Sequence, residues 1–197
     1  MVEGDICDSD YRDLSPNCDV AIDIETTGLS ELVDELCTVQ ICAETRVIII
    51  RPTKRVVPRN LVSIIENSGH RKVFHHAAFD LRFLCKTWAV VPSNVVCTKI
   101  AAKILKFNDT SLRHVLRQRL GVRIDKKLQL SDWTATVLSD AQIRYCADDV
   151  AYLIPLYDAL EDDMTRFSLL KYAQAAFEFL PTRVRLDLLD YPDLFQY

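Results

Sequence analysis

Four carboxylates and a phenol are the residues whose types and spacing suggest chemistry. Asp23 and Glu25 lie two apart in DVAIDIE (residues 19–25), a stretch that alternates apolar and polar residues as a strand does. Residues two apart on a strand point to the same face, so both carboxylates converge there. Two adjacent acids repel, and a divalent cation is the natural way to neutralise them. By composition a D-x-E arises about once in ~300 residues, so context carries the weight: Thr26-Thr27-Gly28-Leu29 follows as a turn that exposes the strand's end. Asp80, in FHHAAFDL (74–81), sits about one turn into a helix that follows a strand. An acid in that place commonly serves the helix dipole. His75 and His76 beside it show no zinc-ligand spacing. Tyr145 and Asp149 are four apart and share one helix face. A phenol beside a metal-held carboxylate is suited to orient a water for attack on a phosphodiester.

The elements that must position these groups follow from periodicity and punctuation. Residues 19–25, 36–43 and 46–51 read as strands rich in β-branched residues; the last two are joined by a Glu44–Thr45 turn, giving an antiparallel hairpin or meander. Helices are expected over 58–67, 77–88, 98–106 and 111–120, the last stopped by Gly121, with short strands at 72–76 and 95–96. Ser139 and Gln142 form a capping box that starts the helix carrying Tyr145 and Asp149. Pro155 should kink or break that helical pattern. A final helix is expected over 164–179, followed after Pro181 by an apolar, aromatic tail. Strands come first and helices then dominate, which indicates an α/β or α+β domain with a mixed sheet; the α/β class is the one taken. The division is an acidic N-terminal arm (1–18), a main domain (19–180) and a C-terminal tail (181–197).

Composition bounds the rest. The chain has 197 residues, 49% apolar and 26% charged, which suits one globular domain and excludes wholesale disorder. A net charge of −4 argues against a general binder of long nucleic acid. The charge is uneven, however: residues 99–127 hold nine Lys/Arg against two acids. Such a band is either a solvated helix face or a surface for phosphate. Seven scattered cysteines with no CxxC argue against a disulfide framework or a zinc site, and with no signal peptide or long apolar run a cytoplasmic setting is expected.

Taken in order, D-x-E on a first strand, F-D on a helix and Y-x-x-x-D on a late helix resemble the DEDDy 3′→5′ exonucleases, such as ribonuclease D and the proofreading domain of DNA polymerase I. LQLSDW (128–133) and LIPLY (153–157) are also similar to ribonuclease D sequences, and the resemblance covers residues 19 to about 162. VCTKIA (96–101), with Cys97 where most ribonuclease D relatives carry Asp, and the segments FEFLPTR (177–183) and LDLL (186–189) look like the nanoRNase C branch. His76-Ala77-Ala78 departs from that branch. The resemblance implies a ribonuclease H-like DnaQ/DEDD fold, a mixed central sheet flanked by helices. It implies two divalent ions, Mg²⁺ or Mn²⁺, roughly 3.5–4 Å apart, held by Asp23, Glu25, Asp80 and Asp149. Asp23 would bridge both ions, Glu25 and Asp149 would complete the one that binds the attacking water, and Asp80 would serve the other. Tyr145 would orient the water, and nucleoside 5′-monophosphates would be released.

The same resemblance implies very short RNA, dinucleotides above all, as substrate, with Leu29 wedged between two bases. Thr26, His76, Lys126, Lys127 and Gln129 are further substrate-binding candidates, the two lysines and Gln129 for the 5′ end. It also implies a homo-octamer, for which the rest of the basic band and the apolar tail (Leu186, Leu188, Leu189, Tyr191, Leu194, Phe195) offer contact surface. Two alternatives stay open: ribonuclease D-like trimming of longer, structured RNA, and an inactive exonuclease fold that only binds.

Overall fold

The computed structural model describes residues 1–191, and among them six strands form one mixed sheet. Its spatial order is β1 (Val2–Glu3), β4 (Arg46–Arg51), β3 (Leu36–Ala43), β2 (Asp19–Thr26), β5 (Arg71–Phe74) and β6 (Val95–Cys97). β2, β3 and β4 form an antiparallel meander. β5 and β6 add parallel to β2, while β1 adds parallel to β4. Parallel neighbours need crossovers; α2 (Arg59–Glu66) lies on the one that leads to β5 and α3 (Ala77–Trp88) on the one from β5 to β6. α4 (Thr98–Ile104) and α5 (Leu112–Leu120) follow, then the three long helices α6 (Asp140–Ala151), α7 (Leu153–Arg166) and α8 (Leu170–Leu188). The mixed α/β sheet flanked by helices is the architecture expected.

Strand register decides which side chains can meet. Ile22, Ile41 and Ile48 pair laterally across β2, β3 and β4, and all three belong to the main apolar core with residues of α2 and α3. One residue along, Asp23, Gln40 and Ile49 form the next row. Because successive side chains alternate, this second row faces the other way. Ile49 there packs with Trp133, Leu138, Tyr145 and Cys146 in a smaller cluster, beneath α6, which lies across all three strands.

Three local expectations need correction or extension. The N-terminal arm lacks periodicity, yet it supplies β1 and a short helix α1 (Asp8–Arg12). Its Asp5 carboxylate accepts from Asn60 N (2.8 Å) and Leu61 N (3.1 Å), satisfying the first turn of α2, whose N-cap Pro58 makes no side-chain cap. Pro155 does coincide with a break, but the break falls at Tyr152, between α6 and α7. Pro155 then occupies the first turn of α7, where its missing N–H has no intrahelical role.

Pro181 is different, because the helix runs straight through it. A helix over 164–179 is expected; instead Met164 lies in the last turn of α7, Ser168 turns with a positive φ of 57°, and α8 continues to Leu188. Phe177, Leu180 and Val184 are all buried along it. Their packing outweighs the lost hydrogen bond of a mid-helix proline, about 3 kcal/mol. Of the apolar tail, Leu188 packs against the core while Leu189 and Tyr191 are exposed; Leu194 and Phe195 lie outside the described residues.

Candidate active site

β2 ends where the chemistry begins. Asp23 and Glu25 project from its α6 side, and the register shifts between Glu25 and Thr26, a bulge that releases the chain from pairing. Asp149 descends from α6 onto the same spot. Ligand atoms of Asp23, Glu25 and Asp149 all lie within 4.8 Å of one another. Asp80 reaches in from the first turn of α3, 2% exposed, and its Oδ2 is buried with no hydrogen-bond partner. All four sequence-predicted carboxylates therefore line a single open cleft of about 730 Å³, within the size range of small-ligand sites.

The electrostatics show what kind of ligand suits such a cluster. Burial, then Asp149, pushes Asp23 up to about 7, despite relief from Lys126 and Gln40. Burial, then Asp23, pushes Glu25 up to about 10. Asp80 and Asp149 are raised as well, burial leading in both. Acids move this way when nearby charge is not neutralised. An all-oxygen, acid-rich donor set with an orphaned buried oxygen fits a hard divalent cation such as Mg²⁺ or Mn²⁺.

Tyr145 stands beside Asp149, 6% exposed, its hydroxyl driven well above the usual phenol range by burial and by Asp149. It therefore keeps its proton. Trp133 packs against its ring, centroids 5.7 Å apart. The capping box explains how that contact is held. Gln142 Oε1 accepts from Ser139 N (3.0 Å), leaving its Nε2 to donate to the Asp132 carbonyl (2.9 Å) and Ser131 Oγ (3.3 Å). One side chain thus starts α6 and pins the LQLSDW segment against the phenol.

Lys126 is the internal cation, donating from Nζ to Asp149 Oδ1 (2.5 Å) and Tyr145 Oη (3.3 Å). Lys99 and Arg113, also from the basic band, line the cleft too. Other band members do structural work elsewhere, such as Arg119 with Asp163 at 2.5 Å. Thr26, Leu29, His76 and Gln129 line the cleft, whereas Lys127 does not; it pairs with Asp125 at the surface (3.3 Å). His75 is locked between Thr98 Oγ1 (2.8 Å) and the Thr110 carbonyl (3.0 Å), and burial lowers it to about 3, so it is neutral.

The Leu29 loop is braced from within. Asp34 accepts from Thr27 Oγ1 (3.1 Å) and Ser30 N (2.9 Å), and a Cβ on Gly28 would lie 2.5 Å from its carboxylate. Only glycine permits that close approach. Leu29 is left 81% exposed at the cleft.

Sequence reasoning passed over Gln40, a fully buried amide that donates to Asp23 Oδ2 at 2.7 Å. The available signal was a glutamine between Val39 and Ile41 in a largely apolar strand. It also assigned no role to Trp133.

The 3′–5′ exonuclease family profile matches residues 8–165. The chain belongs to the 3′–5′ exonuclease family. It is 36% identical over 164 residues to DNA polymerase I of Aquifex aeolicus, covering 82% of this chain and 26% of the polymerase. It is 34% identical over 149 residues to ribonuclease D of Acidiphilium cryptum, covering 75% of this chain and 38% of that enzyme. The chain thus spans well under half the length of these curated relatives. Among solved structures, Brucella melitensis NrnC superposes with a TM-score of 0.91 at 37% identity, covering 100% of this chain and 97% of that one. The same protein has been solved bound to pGG and with bound Mg²⁺, each at TM-score 0.90. The fold is thus of the ribonuclease H-like exonuclease type, ribonuclease D-like and close to NrnC.

Proposed function

We propose that this chain is a metal-dependent 3′→5′ exoribonuclease that hydrolyses very short RNA, dinucleotides above all, to nucleoside 5′-monophosphates. The observation that carries the reading is the meeting of Asp23, Glu25 and Asp149 within 4.8 Å, with the unpartnered Asp80 oxygen lining the same cleft. Asp23, Glu25 and Asp149 would hold one Mg²⁺ or Mn²⁺ ion, and Asp23 with Asp80 a second. Bound there, the ions supply acidification of the attacking water and neutralisation of charge on the phosphorus. The chain's own residues do the rest. Tyr145, protonated and clamped by Trp133, orients the water through its hydroxyl. Lys126 transfers part of its hydrogen bonding from Asp149 to the phosphodiester, while Leu29 meets the bases from the braced loop.

The short-substrate part rests on the likeness to NrnC, solved with pGG, and on the size of the cleft, which suits a small ligand. The basic band contributes only Lys99, Arg113 and Lys126 to the cleft lining, enough for a few phosphates. The proposal extends to a homo-octamer and a cytoplasmic setting, as the sequence resemblance implies; no described helix is long and apolar enough to cross a membrane. The test is a time course on 5′-labelled RNAs of two, three, seven and about twenty nucleotides with Mg²⁺, Mn²⁺ or EDTA, run at several salt concentrations. The expected result is fastest turnover of the dinucleotide, abolished by EDTA. Equal rates at all lengths would overturn the short-substrate reading in favour of trimming longer RNA.

A further inference from the structure

Asp23 is the carboxylate on which the proposed ion site turns, and one of its oxygens is already committed. Gln40 Nε2 donates to Asp23 Oδ2 at 2.7 Å. A side-chain amide has two faces, and a half-turn would set a carbonyl oxygen against that carboxylate. Thr38 opposes the flip, because its hydroxyl donates to Gln40 Oε1 at 3.2 Å. Cys146 of α6 is buried on the same side of the sheet. Thr38, Gln40 and Cys146 are each 0% exposed, so the amide has to find its partners inside the protein. The row it occupies does not require a polar residue, since its lateral neighbour on β4 is Ile49.

We infer that Gln40, held in one orientation by Thr38, is a positioning residue for Asp23: it ties up one carboxylate oxygen and leaves the other to the ion. This rests on the metal-dependent reading above and adds to it a residue outside the carboxylate set. Gln40 does not line the cleft, so it acts on the ion site and not on substrate.

The test combines calorimetric titration of the full chain with Ca²⁺ and measurement of kcat and KM on a dinucleotide with Mg²⁺. Gln40→Met keeps the volume and removes the amide; Thr38→Val removes the hydroxyl, and Thr38→Ser retains it. Outer-shell partners of ligands are worth roughly 10–100-fold in metal affinity or activity. Gln40→Met should therefore weaken Ca²⁺ binding and lower kcat by that factor, with KM within about 2-fold. Thr38→Val should shift both in the same direction by several-fold, and Thr38→Ser should restore them. A Gln40→Met protein that melts lower but binds Ca²⁺ and turns over like the parent would overturn the inference. So would a Thr38→Ser protein as impaired as Thr38→Val, a comparison that stands even where Gln40→Met does not fold. Failure of the functional reading looks different: the unsubstituted chain itself would show no metal-dependent hydrolysis.

Discussion

The row Ile22, Ile41, Ile48 and the row Asp23, Gln40, Ile49 cross the same three strands one residue apart. The first is buried among apolar side chains and contains nothing that needs solvating. The second leads into Glu25, Asp149 and Asp80, all buried and all raised from their ordinary values, burial leading in each. One face stabilises the fold by removing apolar surface from water. The other costs stability, because acids are gathered with a single lysine, Lys126, hydrogen-bonded among them. The contrast locates the chemistry. Where a fold concentrates uncompensated charge against a well-packed sheet, the stability forgone is the sign of a site built for a ligand of opposite charge.

Three experiments break or sharpen that contrast. The largest effect is expected at Asp23→Asn. Removing this ligand should cost several kcal/mol of transition-state stabilisation, about 10³-fold or more in rate. The metal-free variant should nonetheless melt higher than the parent, since one member of a repelling cluster is gone. Full activity with Mn²⁺ would break the two-metal reading.

Ile41→Ala, on the opposite row, should do the reverse. A buried Ile→Ala change costs about 2–5 kcal/mol of stability, read as a fall in melting temperature of about 2–4 °C per kcal/mol at this chain length. The folded enzyme's kcat should stay within about 2-fold, because the Ile41 side chain faces away from the acids. A large loss of kcat without a loss of stability would show that the two rows are not separable.

The smallest effect is in pH. Asp23, ordinarily near 3.8, is raised to about 7. Between those values the folded chain binds a proton that the unfolded chain has released, so metal-free stability falls as pH rises through that window. Glu25, raised to about 10, extends the fall to higher pH. Melting of the metal-free protein should drop by a few degrees from pH 5 to pH 8, and Mg²⁺ should flatten the profile. Ile41→Ala should lower the whole curve without changing its slope. An unchanged slope in Asp23→Asn would show that Asp23 is not the titrating group.

Much of the site was legible because local rules carry it. Period two on a strand puts Asp23 and Glu25 on one face, the four-residue spacing puts Tyr145 and Asp149 on another, and the Ser139–Gln142 box marks where α6 starts. Those patterns are written within a few residues and need no knowledge of neighbours. Pro181 shows the limit: as a local signal it ends a helix, yet buried Phe177, Leu180 and Val184 carry α8 past it. Asp5 capping α2 from 55 residues away, and Gln40 turned toward Asp23 from the neighbouring strand, are contacts of the same long-range kind. Sequence by itself therefore determined the chemical groups and the faces they occupy. Only the tertiary structure decided which faces meet, that Lys126 reaches Asp149 while Lys127 turns to solvent, and that a buried amide restrains the central carboxylate. The physical reason is that propensity and periodicity act over one or two turns of chain, whereas charge compensation and packing are settled between segments that meet only once the sheet has formed.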